Sequence, residues 1–109
     1  MKLVLAIINE QDGNKVLDSL NKAGFSVTKL ATTGGFLKVG NMTLIIGTEE
    51  EKVQDVINIV KEKSQKRKQL VVSPLMFEAA GGFSSHTTEI EVGGATIFVV
   101  DVERFEKVW

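Results

Sequence analysis

The sequence predicts an α+β fold of the ferredoxin-like, split βαβ type, with an extra hairpin strand near its end. Three observations predict it. Leu3 to Ile8 and Ala95 to Val100 are apolar runs of strand length. Two segments, centred on Val16–Leu20 and Val53–Val60, repeat apolar residues at helical spacing. Shorter strand-like stretches separate them, giving the order β-α-β-β-α-β. With 109 residues and 43% hydrophobic side chains, the chain has the size and composition of a single globular domain over 1–109.

Leu3-Val4-Leu5-Ala6-Ile7-Ile8 is continuously apolar, as a central, fully buried strand requires. The run stops at Asn9, too short for a secretory segment with a cleavage site or for a bilayer span, so the expected address is the cytoplasm. A polar opening at Asp12-Gly13-Asn14 leads into Val16, Leu17, Leu20 and Ala23, one stripe of an amphipathic helix, and Gly24 stands where a left-handed C-cap belongs. Phe25 to Leu30 alternates as a second strand, with Phe25, Val27 and Lys29 on one face. Thr32-Thr33-Gly34-Gly35 breaks the pattern, and Met42 to Ile46 restores it as a third strand.

Thr48-Glu49-Glu50-Glu51 has the form of a capping box opening a second helix, whose stripe is Val53, Val56, Ile57 and Val60. Lys61, Lys63, Lys66, Arg67 and Lys68 read as that helix's solvated basic end, suited to the negative end of its dipole. Leu70 to Val72 is a short strand, and Ser73 to Thr87 a long loop, of a length that usually carries function. Glu89 to Val92 alternates, Gly93-Gly94 suits a two-residue hairpin turn, and Ala95 to Val100 is the last core strand.

Two helices cover one face of a four-stranded sheet. Leu44-Ile45-Ile46 and Ile97-Phe98-Val99-Val100 nevertheless carry apolar side chains on both faces, because neighbours along a strand point opposite ways. The second face requires a cover, which other subunits of an obligate oligomer provide; the long loop folded back is the alternative.

Few groups are suited to catalysis. The chain has no cysteine, and its one histidine, His86, stands in the long loop without a partner at metal-ligand spacing. Ser84-Ser85-His86 lacks an orienting acid, and Glu49 to Glu51 are accounted for by the helix start, so neither an enzyme nor a metal site is expected. A net charge of −1 gives no field that would draw in nucleic acid or an anionic membrane. The informative stretch is Lys29 to Asn41: small and hydroxyl residues with two glycines let main-chain N–H groups converge on an anion, Phe36 and Leu37 supply an apolar wall, and Asn41 offers both donor and acceptor. These are the parts of a nucleotide site. On spacing alone, a hairpin turn with a buried Phe accounts for the same residues.

Thr28-Lys29-Leu30-Ala31-Thr32-Thr33-Gly34-Gly35-Phe36-Leu37, then Gly40-Asn41, Gly47 and Glu89 to Val99 with Val92-Gly93-Gly94-Ala95-Thr96 at its centre, resemble the cyclic-di-AMP receptor family of PII-like signal transduction proteins. The resemblance covers nearly the whole chain. It implies a non-catalytic homotrimer that binds cyclic di-AMP in clefts between subunits, needs no cofactor, and passes occupancy to a downstream protein through mobile loops. It further implies that Thr28 contacts phosphate, Gly35 and Phe36 line the ribose-phosphate, Phe36 and Leu37 flank an adenine, and Asn41 with the Gly47 main chain reads adenine edges. Ser26, Val27, Phe98 and Lys107 complete the implied ligand-binding set.

Three departures accompany the match. Ser26 stands where the family often has an arginine, and cannot pair a phosphate bidentately. Glu106-Lys107 replaces a His-Gln pair, with Lys107 able to meet phosphate as a point charge. Met76-Phe77-Glu78-Ala79-Ala80 replaces a more polar, Tyr-containing stretch. A PII-type sensor of ATP or ADP is the alternative function, but such proteins carry a run of arginines after the last strand, where this chain has Arg104-Phe105-Glu106-Lys107.

Overall fold

Eight elements follow one another in the computed structural model: β1 (Lys2–Asn9), α1 (Glu10–Lys22), β2 (Val27–Leu30), β3 (Asn41–Thr48), α2 (Glu50–Lys63), β4 (Arg67–Val72), β5 (Thr87–Val92) and β6 (Ala95–Asp101). The structure describes residues 1–30, 40–72 and 87–109. Four strands form one antiparallel sheet in the order β2-β3-β1-β6, and β4 and β5 form a separate antiparallel ribbon. Two helices with such a sheet make an α+β fold compatible with the expected ferredoxin-like arrangement, with the extra strand paired to β4 in the ribbon rather than in a hairpin with β6.

The core lies between the sheet and the helices. Val4, Ala6, Ile8, Met42, Leu44 and Ile46 point from the two central strands onto Val16, Leu20, Val56 and Val60 of the helices. Leu17, Val53, Phe25 and Val27 pack at the margin, as does Ile59; of the expected stripes, Ala23 is exposed and Ile57 is not part of the core. Asn9 caps α1 by accepting the Gln11 amide at 2.8 Å, so the helix starts ahead of the polar stretch Asp12-Gly13-Asn14. It ends at Ala23, after which Gly24 takes φ +92°, the left-handed conformation expected of it.

The strand predicted to be buried on both faces is buried on one. Along β1 the side chains alternate: Val4, Ala6 and Ile8 are inaccessible, while Leu3, Leu5 and Ile7 are half-buried. The residues paired with those three, Val100, Phe98 and Thr96 on β6 and Gly47, Ile45 and Thr43 on β3, belong to the same open face. Phe98 is 51% exposed there and Val100 43%.

Three local expectations are corrected. Thr48 does not cap α2: it is the buried last residue of β3, the N-cap is Glu49, and no side chain caps the helix. Arg67 and Lys68 do not prolong the basic helix end but open β4, which begins ahead of Leu70; of the five cations, Lys61 and Lys63 lie in the last helical turn. Gly93-Gly94 is not a two-residue hairpin turn, since β5 pairs with β4 and β6 with β1. It is a corner between two sheets. Both glycines have positive φ (+93° and +86°), the Gly94 amide donates to the Ser64 carbonyl, and a Cβ on Gly93 would strike the Gln65 carbonyl oxygen.

Candidate functional site

The open face carries a cavity of about 640 Å³ at the end of the sheet where β1 begins and β3 ends. Its floor is mostly strand: Leu3 from β1, Ile45 and Gly47 from β3, Thr28 from β2, and Ser26 from the residue just ahead of β2. Register explains the grouping, because Thr28 pairs with Ile45 and Leu3 with Gly47. Its other wall is the segment after β6, with Val102, Phe105, Glu106 and Lys107. That segment turns toward the site because the Val102 amide donates to the Met1 carbonyl at 3.1 Å.

Charge in this cavity is simple. The Glu106 carboxylate accepts from Arg104 at 2.5 and 3.1 Å, which leaves Lys107 as the lining cation without a carboxylate partner among the described residues. Its ammonium sits 4.3 Å from the centre of the Trp109 ring. At the same end of the sheet Lys2 pairs with Asp101 across the β1–β6 ladder; the hydrogen bond from Lys2, and then its charge, hold the Asp101 carboxyl below its ordinary value.

Four of the expected ligand residues thus come together: Ser26, Thr28, Gly47 and Lys107. Val27 has the opposite parity and packs against the core, so only its main chain is available at this site. Phe98 lies in the same cross-strand row as Thr28, through Ile45 and Leu5, about 14 Å across the sheet. Asn41 opens β3 at the opposite end, roughly 20 Å along the strand from Gly47. It lines a smaller cavity of about 360 Å³ with Asn9, Lys66, Thr96 and the Gly93-Gly94 corner. Gly35, Phe36 and Leu37, with the rest of the anion cradle, fall outside the described residues, as do His86 and 73–86 of the long loop.

No group of three or more potential metal ligands occurs among the described residues. None of the described helices is long and apolar enough to cross a membrane.

The model of a protein family described as "Cyclic-di-AMP receptor" matches residues 1–108. This chain belongs to the cyclic-di-AMP receptor family. It is also similar to a crystal structure of a functionally unknown protein from Pediococcus pentosaceus, with 38% identity, a TM-score of 0.75, and coverage of 98% of this chain and 96% of that one. In this member of the receptor family, the cavity adds residues that sequence spacing did not single out: Leu3, Ile45, Val102 and Phe105. Leu3 and Ile45 were accessible in principle, since they share the parity of Gly47 and the pairing row of Thr28, but the row exists only once the strand register is known. Val102 and Phe105 gave no periodic signal, because they lie in an irregular segment.

A third cavity, of about 570 Å³, lies beside the first and shares Ser26 and Gly47 with it; Lys52, Asp55 and Asn58 of α2 form its far side.

Proposed function

We propose that this protein is a non-catalytic cytoplasmic signalling protein that binds cyclic di-AMP at clefts between the subunits of a PII-like homotrimer and relays occupancy to a protein partner. The observation that carries this proposal is the half-built cavity. It has a floor with a threonine hydroxyl and an unobstructed glycine main chain, one wall with a lysine, and an open side continuous with an apolar sheet face. A neighbouring copy laid on that face would cover Phe98 and Val100 and close the cavity at the same time.

The chemistry suits a phosphate-bearing purine. The Thr28 hydroxyl can donate to a phosphate oxygen, Lys107 supplies a cation, and the Gly47 amide and carbonyl can meet a base edge without a side chain intervening. Leu3, Ile45 and Phe105 supply the apolar surface that a base needs around those few polar groups. Asn41 and Gly47 of one chain are too far apart to read one adenine, so the proposal assigns them to opposite subunits of a cleft. An ATP or ADP site would require more cation than the one lysine that lines the cavity among the described residues.

Calorimetric titration with cyclic di-AMP, cyclic di-GMP and ATP in parallel tests the function. Saturable binding of cyclic di-AMP, with the other two much weaker, is the expected result; preference for ATP would move the protein to the PII-type alternative.

A further inference from the structure

The segment after β6 does more than wall the cavity. Trp109 is 97% exposed, the most exposed of the large apolar side chains among the described residues. The Lys107 ammonium lies over its ring at 4.3 Å. Lys107 is itself part of the cavity wall, beside Phe105, which is 63% exposed. Two residues of backbone reach at most about 7 Å, so the indole stands near the cavity's lip.

We infer that Phe105, Lys107 and Trp109 form a stacking clamp for a purine ring of the bound ligand. One face of the indole is occupied by the ammonium, and the exposure of the residue leaves the other face open. A flat base stacked there removes two apolar surfaces from water at once. The same ammonium is then within reach of the phosphates attached to that base, so a single lysine orients the ring and draws the anion. The clamp requires a ligand with both parts: phosphate charge alone lacks the stacking surface, and a base alone forgoes the lysine.

This inference rests on the proposed function, and the test separates the two. Trp109 is the protein's one tryptophan, so its emission reports on this position alone. Emission is followed while the full-length chain is titrated with cyclic di-AMP, ATP and inorganic pyrophosphate, with calorimetry on the same samples. The expected result is quenching by cyclic di-AMP and none by pyrophosphate. In addition, Trp109→Ala should weaken cyclic di-AMP binding about ten-fold, and Trp109→Phe much less. Cyclic di-AMP binding by calorimetry with unchanged emission and an unaffected Trp109→Ala variant would overturn the clamp and leave the proposed function standing. Quenching by ATP but not by cyclic di-AMP would do the opposite. Emission already blue-shifted without ligand, and reverting on dilution, would seat the ring on a second copy and overturn the clamp.

Discussion

Arg67 holds the Asp12 carboxylate with both terminal guanidinium nitrogens, at 2.7 and 3.1 Å, and the acidic partner is 1% exposed. Asp12 sits in the first turn of α1, and Arg67 begins β4, so the pair fastens the two-stranded ribbon to the body of the domain. A third bond, from Arg67 to the Gln65 carbonyl at 3.1 Å, fixes the chain leaving α2.

Breaking this pair has an asymmetric cost. Arg67→Met leaves a carboxylate buried without its partner, whereas Asp12→Ala leaves an arginine that is 39% exposed and can turn to water. Arg67→Met is expected to lower the Tm by roughly 10 °C, Asp12→Ala by less, and the double variant by less than the sum. Thermal melts of the three variants check the order.

Acid sensitivity follows from Lys2 and Asp101. The Asp101 carboxyl titrates lower in the folded chain than unfolded, so its contribution is present at pH values above the ordinary carboxylate range and is lost as the pH falls through its folded value. The Lys2 ammonium titrates higher when folded, so its contribution is present below the ordinary lysine value and lost as the pH rises through its folded value. Asp101→Asn should therefore flatten the acid limb of a Tm-against-pH curve, an effect that added salt reduces.

Ser26 and Lys107 share one cavity, so changing either should alter cyclic di-AMP affinity. Ser26→Arg adds a charge-assisted phosphate contact and should tighten binding about ten-fold. Lys107→Ala should weaken it, by a margin that shrinks as salt rises. Titrations of both variants at two salt concentrations check this; affinities equal to the unaltered protein's would remove both residues from the site.

Much of the fold was legible because periodicity reports burial. The apolar run Leu3 to Ile8 and the stripes through Val16, Leu20, Val56 and Val60 mark where the core lies, although only Val4, Ala6 and Ile8 of the run face it, and that alternation came from the structure. What escaped the sequence depends on partners distant along the chain. Arg67 looked like one more cation at a helix end because Asp12 is 55 residues away. Gly93-Gly94 looked like a hairpin turn because two glycines suit a tight turn and a corner between sheets equally well. Thr48 has the spacing of a cap, but the β1–β3 ladder extends far enough to include it, opposite Lys2. At the site, the resemblance supplied Ser26, Thr28, Gly47 and Lys107, whereas the distance between Asn41 and Gly47 appeared only when both fell on one eight-residue strand.

That distance makes a prediction about assembly. Asn41→Ala should fold normally and weaken binding by about 1–3 kcal/mol. If Asn41 and Lys107 serve one cleft from opposite subunits, trimers reassembled from Asn41→Ala and Lys107→Ala chains contain some clefts with neither lesion. Titration of the mixture should then show a fraction of sites at the unaltered affinity. If both residues serve the cleft from one subunit, every cleft carries a lesion and that fraction is absent.

Native mass spectrometry of the protein with and without cyclic di-AMP tests the central claim most directly. The account predicts an assembly of three 11.9 kDa chains that takes up three ligands, one for each cleft between neighbours. A monomer that leaves its apolar sheet face uncovered, or a trimer that acquires no cyclic di-AMP at saturating concentration, would contradict it.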